Sequence, residues 1–240
     1  LKHLGRSAKD FGETAYKLAL GGCPLIKDDH SLFNQSYAPF KDRVKACVDS
    51  VNNANAKTGG RSLYIANCTA DSMEFLERAM TAQELGAGGI MAAPGLLGLS
   101  IIRELSSAPD FHLPIFLHPC FSGPLVLSAD SGISPFCCYG QFSRLAGADA
   151  AIFTSFGGRF PFTEEVCRKI CDGTETEMGG LRSIFPVPSG GMKWQLFKKM
   201  VQVYGPDAIF LVGGALLTES DDLTANMHFY FEKLNEAVNK

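Results

Sequence analysis

Four consecutive polar residues, Lys27-Asp28-Asp29-His30, follow directly on the apolar run Pro24-Leu25-Ile26. A primary amine beside two carboxylates and an imidazole can hold a cation or move a proton, because hard cations take oxygen ligands and imidazole adds a nitrogen. Spacing alone leaves a second reading open, a solvated loop with one internal ion pair. Two glycine pairs offer a different chemistry. Pro186-Val187-Pro188-Ser189-Gly190-Gly191 leads into a helical stretch near Lys193, and Phe210-Leu211-Val212-Gly213-Gly214-Ala215 ends the next apolar run. Without a Cβ the backbone N–H groups can approach the oxygens of an anion closely. Plain turn chemistry is the alternative, but two Gly-Gly pairs on successive loops favour a phosphorylated ligand.

Three weaker features accompany these. Phe156-Gly157-Gly158-Arg159-Phe160 is a glycine loop tipped with a cation, able to close over an anionic substrate through the Arg159 guanidinium. His118 follows the apolar run Pro114–Leu117 and is either an acid/base or ligand group or a hydrogen-bonded structural residue. Asn67 orients a ligand or caps the helix after it. Cys167 and Cys171 stand four residues apart, and no second Cys or His pair completes a zinc site. The eight cysteines sit mostly in apolar segments, which reads as buried thiols in a reducing, cytoplasmic setting.

The elements that must position these residues alternate along the chain. Periodicity predicts helices over Ala8–Leu20, Phe40–Ala56, Asp71–Leu85, Leu96–Leu105, Phe136–Leu145, Thr163–Cys171, Lys193–Val203 and Asp222–Val238. Short apolar runs between them predict strands at Pro24–Ile26, Ser62–Ala66, Gly89–Ala92, Pro114–Leu117, Ala150–Thr154, Ile184–Val187 and Ala208–Val212. Buried strands alternating with helices argue for an α/β fold with a parallel sheet. Eight helices point to a TIM (β/α)8 barrel, and a chain that opens on a helix lacks the barrel's first strand. A doubly wound sheet is the alternative, but no G-x-G-x-x-G opens the first strand-to-helix turn. In a barrel the loops after the strands carry the chemistry, and the last two strands supply the usual phosphate site. Every feature above falls on such a loop except the Cys167/Cys171 pair, which lies within a predicted helix.

The 240 residues form one large domain, 1–240, with 22 Lys plus Arg against 25 Asp plus Glu and a net charge of -3. That balance gives no field for a polyanion, so no nucleic-acid partner is expected. No apolar run approaches the ~20 residues of a membrane span, and Leu1 to Arg6 lacks the apolar stretch of a signal peptide. The chain begins on Leu, so its start is expected upstream.

Taken together and in order, the motifs resemble the large subunit of ribulose-bisphosphate carboxylase (RuBisCO), and more closely the RuBisCO-like proteins. Lys27-Asp28-Asp29-His30 is similar to that family's Lys-Asp-Asp-Glu metal motif, preceded by a similar Gly21-Gly22 turn. Asn34-Gln35, Phe40-Lys41-Asp42-Arg43-Val44, Asn67-Cys68-Thr69-Ala70, Pro186 to Gly191 and Val212-Gly213-Gly214 are similar to the segments that follow. The resemblance implies a homodimer, Mg²⁺, and a motif lysine carbamylated by CO₂. Residue by residue it makes Lys27 a carbamate and metal ligand, Asp29 a metal ligand, and Ser189, Gly190, Gly191, Gly213 and Gly214 phosphate contacts. His30 replaces the family's Glu, which removes a hard oxygen ligand and should weaken Mg²⁺ or favour a softer metal. His118 matches a catalytic histidine of carboxylases, and Arg159 or its neighbourhood stands in for their flexible-loop lysine.

Pro119 replaces the arginine after that histidine, so CO₂ fixation on ribulose bisphosphate is not expected. The implied activity is metal-dependent enolisation, isomerisation or decarboxylation of a phosphorylated ketose or keto sugar acid, as in methionine salvage. A non-catalytic sugar-phosphate-binding or regulatory homologue is the alternative. The family's N-terminal ferredoxin-like α+β domain and the barrel's first strand with its catalytic lysine are absent, so the chain is expected to be the catalytic part of a longer protein. Alone it should dissolve poorly or self-associate.

Overall fold

The computed structural model describes residues 1–2, 4–128, 132–158 and 160–239. Ser7 opens the first helix, α1 (Ala8–Leu20). Its side chain accepts from the Asp10 N–H while the Asp10 carboxylate accepts from the Ser7 N–H, so two N–H groups at the helix start are satisfied reciprocally. After it come β1 (Leu25–Lys27), α2 (Phe40–Thr58), β2 (Leu63–Asn67), α3 (Ser72–Glu84) and β3 (Gly89–Ala92). The expected helix over Leu96–Leu105 is two pieces, α4 (Pro94–Leu97) and α5 (Leu99–Ser106), because Gly98 between them takes φ +85°. Next are β4 (Ile115–Leu117), α6 (Gly123–Val126), a π-helical stretch over Phe136–Gln141 that runs into α7 (Phe142–Leu145), and β5 (Ala150–Thr154). The remainder is α8 (Glu164–Glu175), β6 (Phe185–Ser189), a 3₁₀ turn at Trp194–Leu196 leading into α9 (Phe197–Tyr204), α10 (Gly214–Thr218) and α11 (Leu223–Val238).

The six strands are all parallel and pair in sequence order from β1 to β6. Alternation along each strand divides their side chains between two layers. Ile65, Met91, Phe116, Ile152 and Val187, one from each of β2 to β6, pack together on the inside with Leu25, Ile209 and Leu211. Their neighbours Ile26, Tyr64, Ile90, Ile115 and Phe153 face outward into the core shared with the helices. This is the barrel construction, with a filled interior and a helical coat.

The expected seventh strand, Ala208–Val212, is not a regular strand. It lies beside β6 as an extended segment held by Ile209 N–H to the Pro186 carbonyl (3.0 Å) and Leu211 N–H to the Pro188 carbonyl (3.1 Å). Only Ser189 and Leu211 form a full parallel bridge. The reason lies in β6, where N–H groups alternate between its two neighbours. Phe185 donates to Asp149 on the β5 side, and the next positions facing the seventh segment are Pro186 and Pro188, which have no N–H to give.

On its edge away from β2, β1 has no strand partner among the described residues. Leu1 alone continues the pairing, its amine donating to the Lys27 carbonyl at 2.6 Å and its carbonyl accepting from Asp29 N–H at 2.9 Å. The helical coat does close across this gap, since Thr224 Oγ1 at the start of α11 donates to the Lys17 carbonyl of α1 at 3.0 Å.

The π-helical stretch crosses α8 at two glycines. A Cβ on Gly173 would stand 2.4 Å from the Phe136 carbonyl oxygen, and one on Gly140 would stand 2.5 Å from the Gly173 carbonyl carbon. Both obstacles are backbone and cannot turn aside, so Gly173→Ala is expected to lose about 1–3 kcal/mol of stability. Urea unfolding measures it; an unchanged midpoint would show that the two helices can part freely.

Candidate active site

Every sequence-selected site residue that the structure describes lies at or just after the C-terminal end of a parallel strand. Lys27 ends β1, Asn67 ends β2, His118 follows β4, Ser189 ends β6 and Gly213 follows the seventh segment. Arg159, the loop cation, lies outside the described residues.

The four-residue run after Ile26 splits into two roles. Asp28 is turned away from the mouth and is 0% exposed. It takes Arg43 Nε at 3.2 Å and the Asn67 N–H at 3.1 Å on one oxygen, and the Tyr64 hydroxyl at 2.7 Å on the other. Arg43, also 0% exposed, spends its remaining donors on the carbonyls of Ala38, Leu32 and Phe33, and so fixes the loop that follows β1. Asn67 does not cap the helix after it. Its amide donates to the carbonyls of Asp29, His30 and Leu32, while Asp71 caps α3.

Lys27, Asp29 and His30 remain at the mouth. The Lys27 ammonium donates to the Asp28 carbonyl at 2.6 Å. Burial strips water from it and pulls its pKa down to about 8, against the raising effect of the Asp29 and Asp28 carboxylates. Burial alone would raise Asp29, but two hydrogen bonds from Ser31 and the nearby charges of His30 and Lys27 outweigh it, and its carboxyl sits below the ordinary value. Both Ser31 bonds, 3.1 Å from N–H and 2.6 Å from Oγ, fall on Asp29 Oδ1. His30 Nδ1 approaches the same oxygen at 3.5 Å.

His118 stacks on His30, ring centroids 4.4 Å apart and planes 16° from parallel, which brings the loops after β1 and β4 together across the mouth. Burial first, then the charges of Lys27 and His30, push the His118 pKa down to about 2, so the ring is neutral. Its Nδ1 accepts from the Cys120 N–H at 3.1 Å. The proton of this neutral ring therefore sits on Nε2, free to be donated to a substrate oxygen.

The two glycine pairs follow β6 and the seventh segment. Gly190 and Gly191 take φ +84° and +86°, successive left-handed residues that only glycine adopts without strain. The loop after β5 lies directly on them, for a Cβ on Gly158 would meet the Gly190 carbonyl oxygen at 2.1 Å, and one on Gly190 would meet the Phe160 ring at 3.0 Å. Ser189 Oγ donates to the Phe153 carbonyl at 2.8 Å, tying the start of this turn to β5. Gly213 and Gly214 open α10.

For a divalent cation the donor set is incomplete as it stands. Among the described residues no group of three His, Cys, Asp or Glu side chains is placed to hold one. Asp29 Oδ2 and the His30 imidazole are available, and a third donor needs Lys27 to become a carbamate. A cavity of about 810 Å³ lies along α11 beside His228, Phe231 and Glu232 and contains none of these residues.

The catalytic domain of the ribulose bisphosphate carboxylase large chain matches residues 2–226. The chain belongs to this family. Its RuBisCO relatives include the 5-methylthioribulose-1-phosphate isomerase of Rhodospirillum rubrum, 36% identical over 93% of this chain and 58% of the relative. The 2,3-diketo-5-methylthiopentyl-1-phosphate enolase of Geobacillus thermodenitrificans is 34% identical over 89% and 52%. Among solved structures, a RuBisCO-like protein from Alicyclobacillus acidocaldarius superposes with a TM-score of 0.90 at 29% identity, covering 100% of this chain and 62% of that one. The chain thus spans between half and two thirds of the length of these relatives. The barrel architecture expected from the sequence is that of the RuBisCO-like fold, with six regular parallel strands.

Sequence reasoning missed two residues around the site. Arg43 carried a signal, a cation on the same helix face as Phe40, Val44 and Cys47, all of them buried. Tyr64 carried none, because its partner Asp28 is distant in sequence.

Proposed function

We propose that this chain is the barrel unit of a RuBisCO-like enzyme that enolises or isomerises a phosphorylated ketose. The observation that carries the reading is the convergence of Lys27, Asp29 and neutral His118 at the strand ends that also carry the two glycine pairs. A phosphate held by Ser189 to Gly191 and Gly213-Gly214 anchors one end of the substrate. The acidic carbon then lies toward Lys27, whose lowered pKa suits it to take a proton near neutral pH. The His118 Nε2–H can donate to the carbonyl oxygen as charge develops there. In its carbamate form Lys27 no longer acts as an amine base and, with Asp29 through Oδ2 and His30, would instead hold Mg²⁺. Bound there, the ion polarises the oxygens of the substrate. The names of the relatives point to 1-phosphates of a methylthio-pentulose or its diketo counterpart as the substrate class. The unit belongs to a longer, homodimeric protein in this reading, and a dimeric RuBisCO from Hyperthermus butylicus covering 98% of this chain supports the assembly. No helix among the described residues is long and apolar enough to cross a membrane.

Solvent deuterium exchange into 5-methylthioribulose 1-phosphate tests the activity. A Mg²⁺-dependent exchange is expected from the full-length protein, and its absence across a panel of phosphorylated ketoses would count against an enzyme. His30, a nitrogen ligand in place of a carboxylate, favours a second reading as a sugar-phosphate-binding protein without turnover. Calorimetry separates the two, since metal-independent binding supports the second reading and metal-dependent binding supports the enzyme.

A further inference from the structure

We infer that Lys2 is a phosphate-binding residue of this site, supplying the cation that Gly213 and Gly214 lack. The inference rests on the phosphate reading above and names the group that completes it. The Lys2 Cε and Nζ lie 3.7 and 3.8 Å from the point where a Cβ of Gly213 would stand, and Nζ lies 3.9 Å from the same point on Gly214. The ammonium therefore hangs over the one stretch of the loop where backbone is bare. Among the described residues it makes no hydrogen bond or ion pair that would hold it there for a structural purpose. Its charge is also close enough to Lys27 to act on that amine.

The route of the chain explains how residue 2 arrives there. Leu1 pairs with the open edge of β1 through the Lys27 carbonyl and the Asp29 N–H. The next side chain then reaches the end of the seventh segment. A phosphate monoester carries nearly two negative charges, and neutral N–H groups answer them only in part. A lysine adds a charge-assisted bond, roughly twice as strong as a neutral one, without demanding the fixed fork of an arginine. Lys2 thus discriminates a phosphorylated ketose from the same ketose with a free hydroxyl.

Binding of 5-methylthioribulose 1-phosphate and of unphosphorylated 5-methylthioribulose to the full-length protein tests this by calorimetry. Lys2→Met is expected to weaken binding of the phosphate ester about tenfold and to leave the unphosphorylated sugar unchanged. Lys2→Arg should restore the ester to within about threefold of wild type. Lys2 is exposed, so both variants should melt with the wild type. A phosphate preference that survives Lys2→Met intact, or an equal loss for both sugars, would overturn the assignment of Lys2 alone. A wild type with no preference for the ester would overturn the phosphate site itself.

Discussion

Replacing Arg43 by methionine is expected to cost about 3–5 kcal/mol, enough to threaten folding, because it leaves the Asp28 carboxylate buried without its counter-charge. Both side chains are fully excluded from solvent, and neither can turn to water when the other is removed. The loss also frees the carbonyls of Leu32, Phe33 and Ala38, each of which then lacks the guanidinium donor it has now. Guanidinium unfolding of Arg43→Met and Arg43→Lys measures the effect. Lysine keeps the charge but not the fork, so it should recover only part of the loss. A methionine variant within 1 kcal/mol of wild type would show that the buried pair is dispensable.

Lys27→Met is expected to lower turnover of a phosphorylated ketose by about 10³-fold, the size of a lost general base or metal-holding group. The pH behaviour separates these roles. With a pKa of about 8, roughly one Lys27 in ten is a neutral amine at pH 7, against roughly one in three thousand at the ordinary value. Only the neutral amine attacks CO₂, so a carbamate signal from labelled bicarbonate should grow as pH rises through about 8 and be missing from Lys27→Met. Stability follows the same sign. Between about pH 8 and 10.5 the unfolded chain binds more protons here than the folded one, so wild type gains stability with rising pH and the methionine variant does not. Turnover without any carbamate signal would leave Lys27 as an amine base.

Strands were legible where burial on both faces writes an unbroken apolar run. Gly89–Ala92 and Ala150–Thr154 stand as read, and the strand read at Ser62–Ala66 is shifted by one residue. The seventh strand was read correctly for position and wrongly for regularity, because what weakens it is written in its neighbour as Pro186 and Pro188. The chemistry of Lys27 to His30 was legible by type but not by direction. Alternation held the missing clue. Leu25 faces the barrel interior and Ile26 the helices, so the same period carried two residues further sends Asp28 to the helices and to Arg43 of α2. The stacking of His30 on His118 joins positions 88 residues apart, and Lys2 meets Gly213 from the opposite end of the chain. Such meetings come from barrel curvature, which no local pattern encodes.

The prolines of β6 have a mechanical meaning for the proposed phosphate site. They leave Ser189 to Gly191 joined to the segment before Gly213 by few ladder bonds, two of them from the N–H groups of Ile209 and Leu211. The two halves of the proposed anion cradle are therefore joined by fewer rungs than two strands of a regular sheet. Spreading them breaks a few exchangeable bonds, a local opening far below the free energy of global unfolding. A phosphate gripped by both halves would act as the missing rungs, so in the proposed function the ligand would also stiffen the wall that holds it.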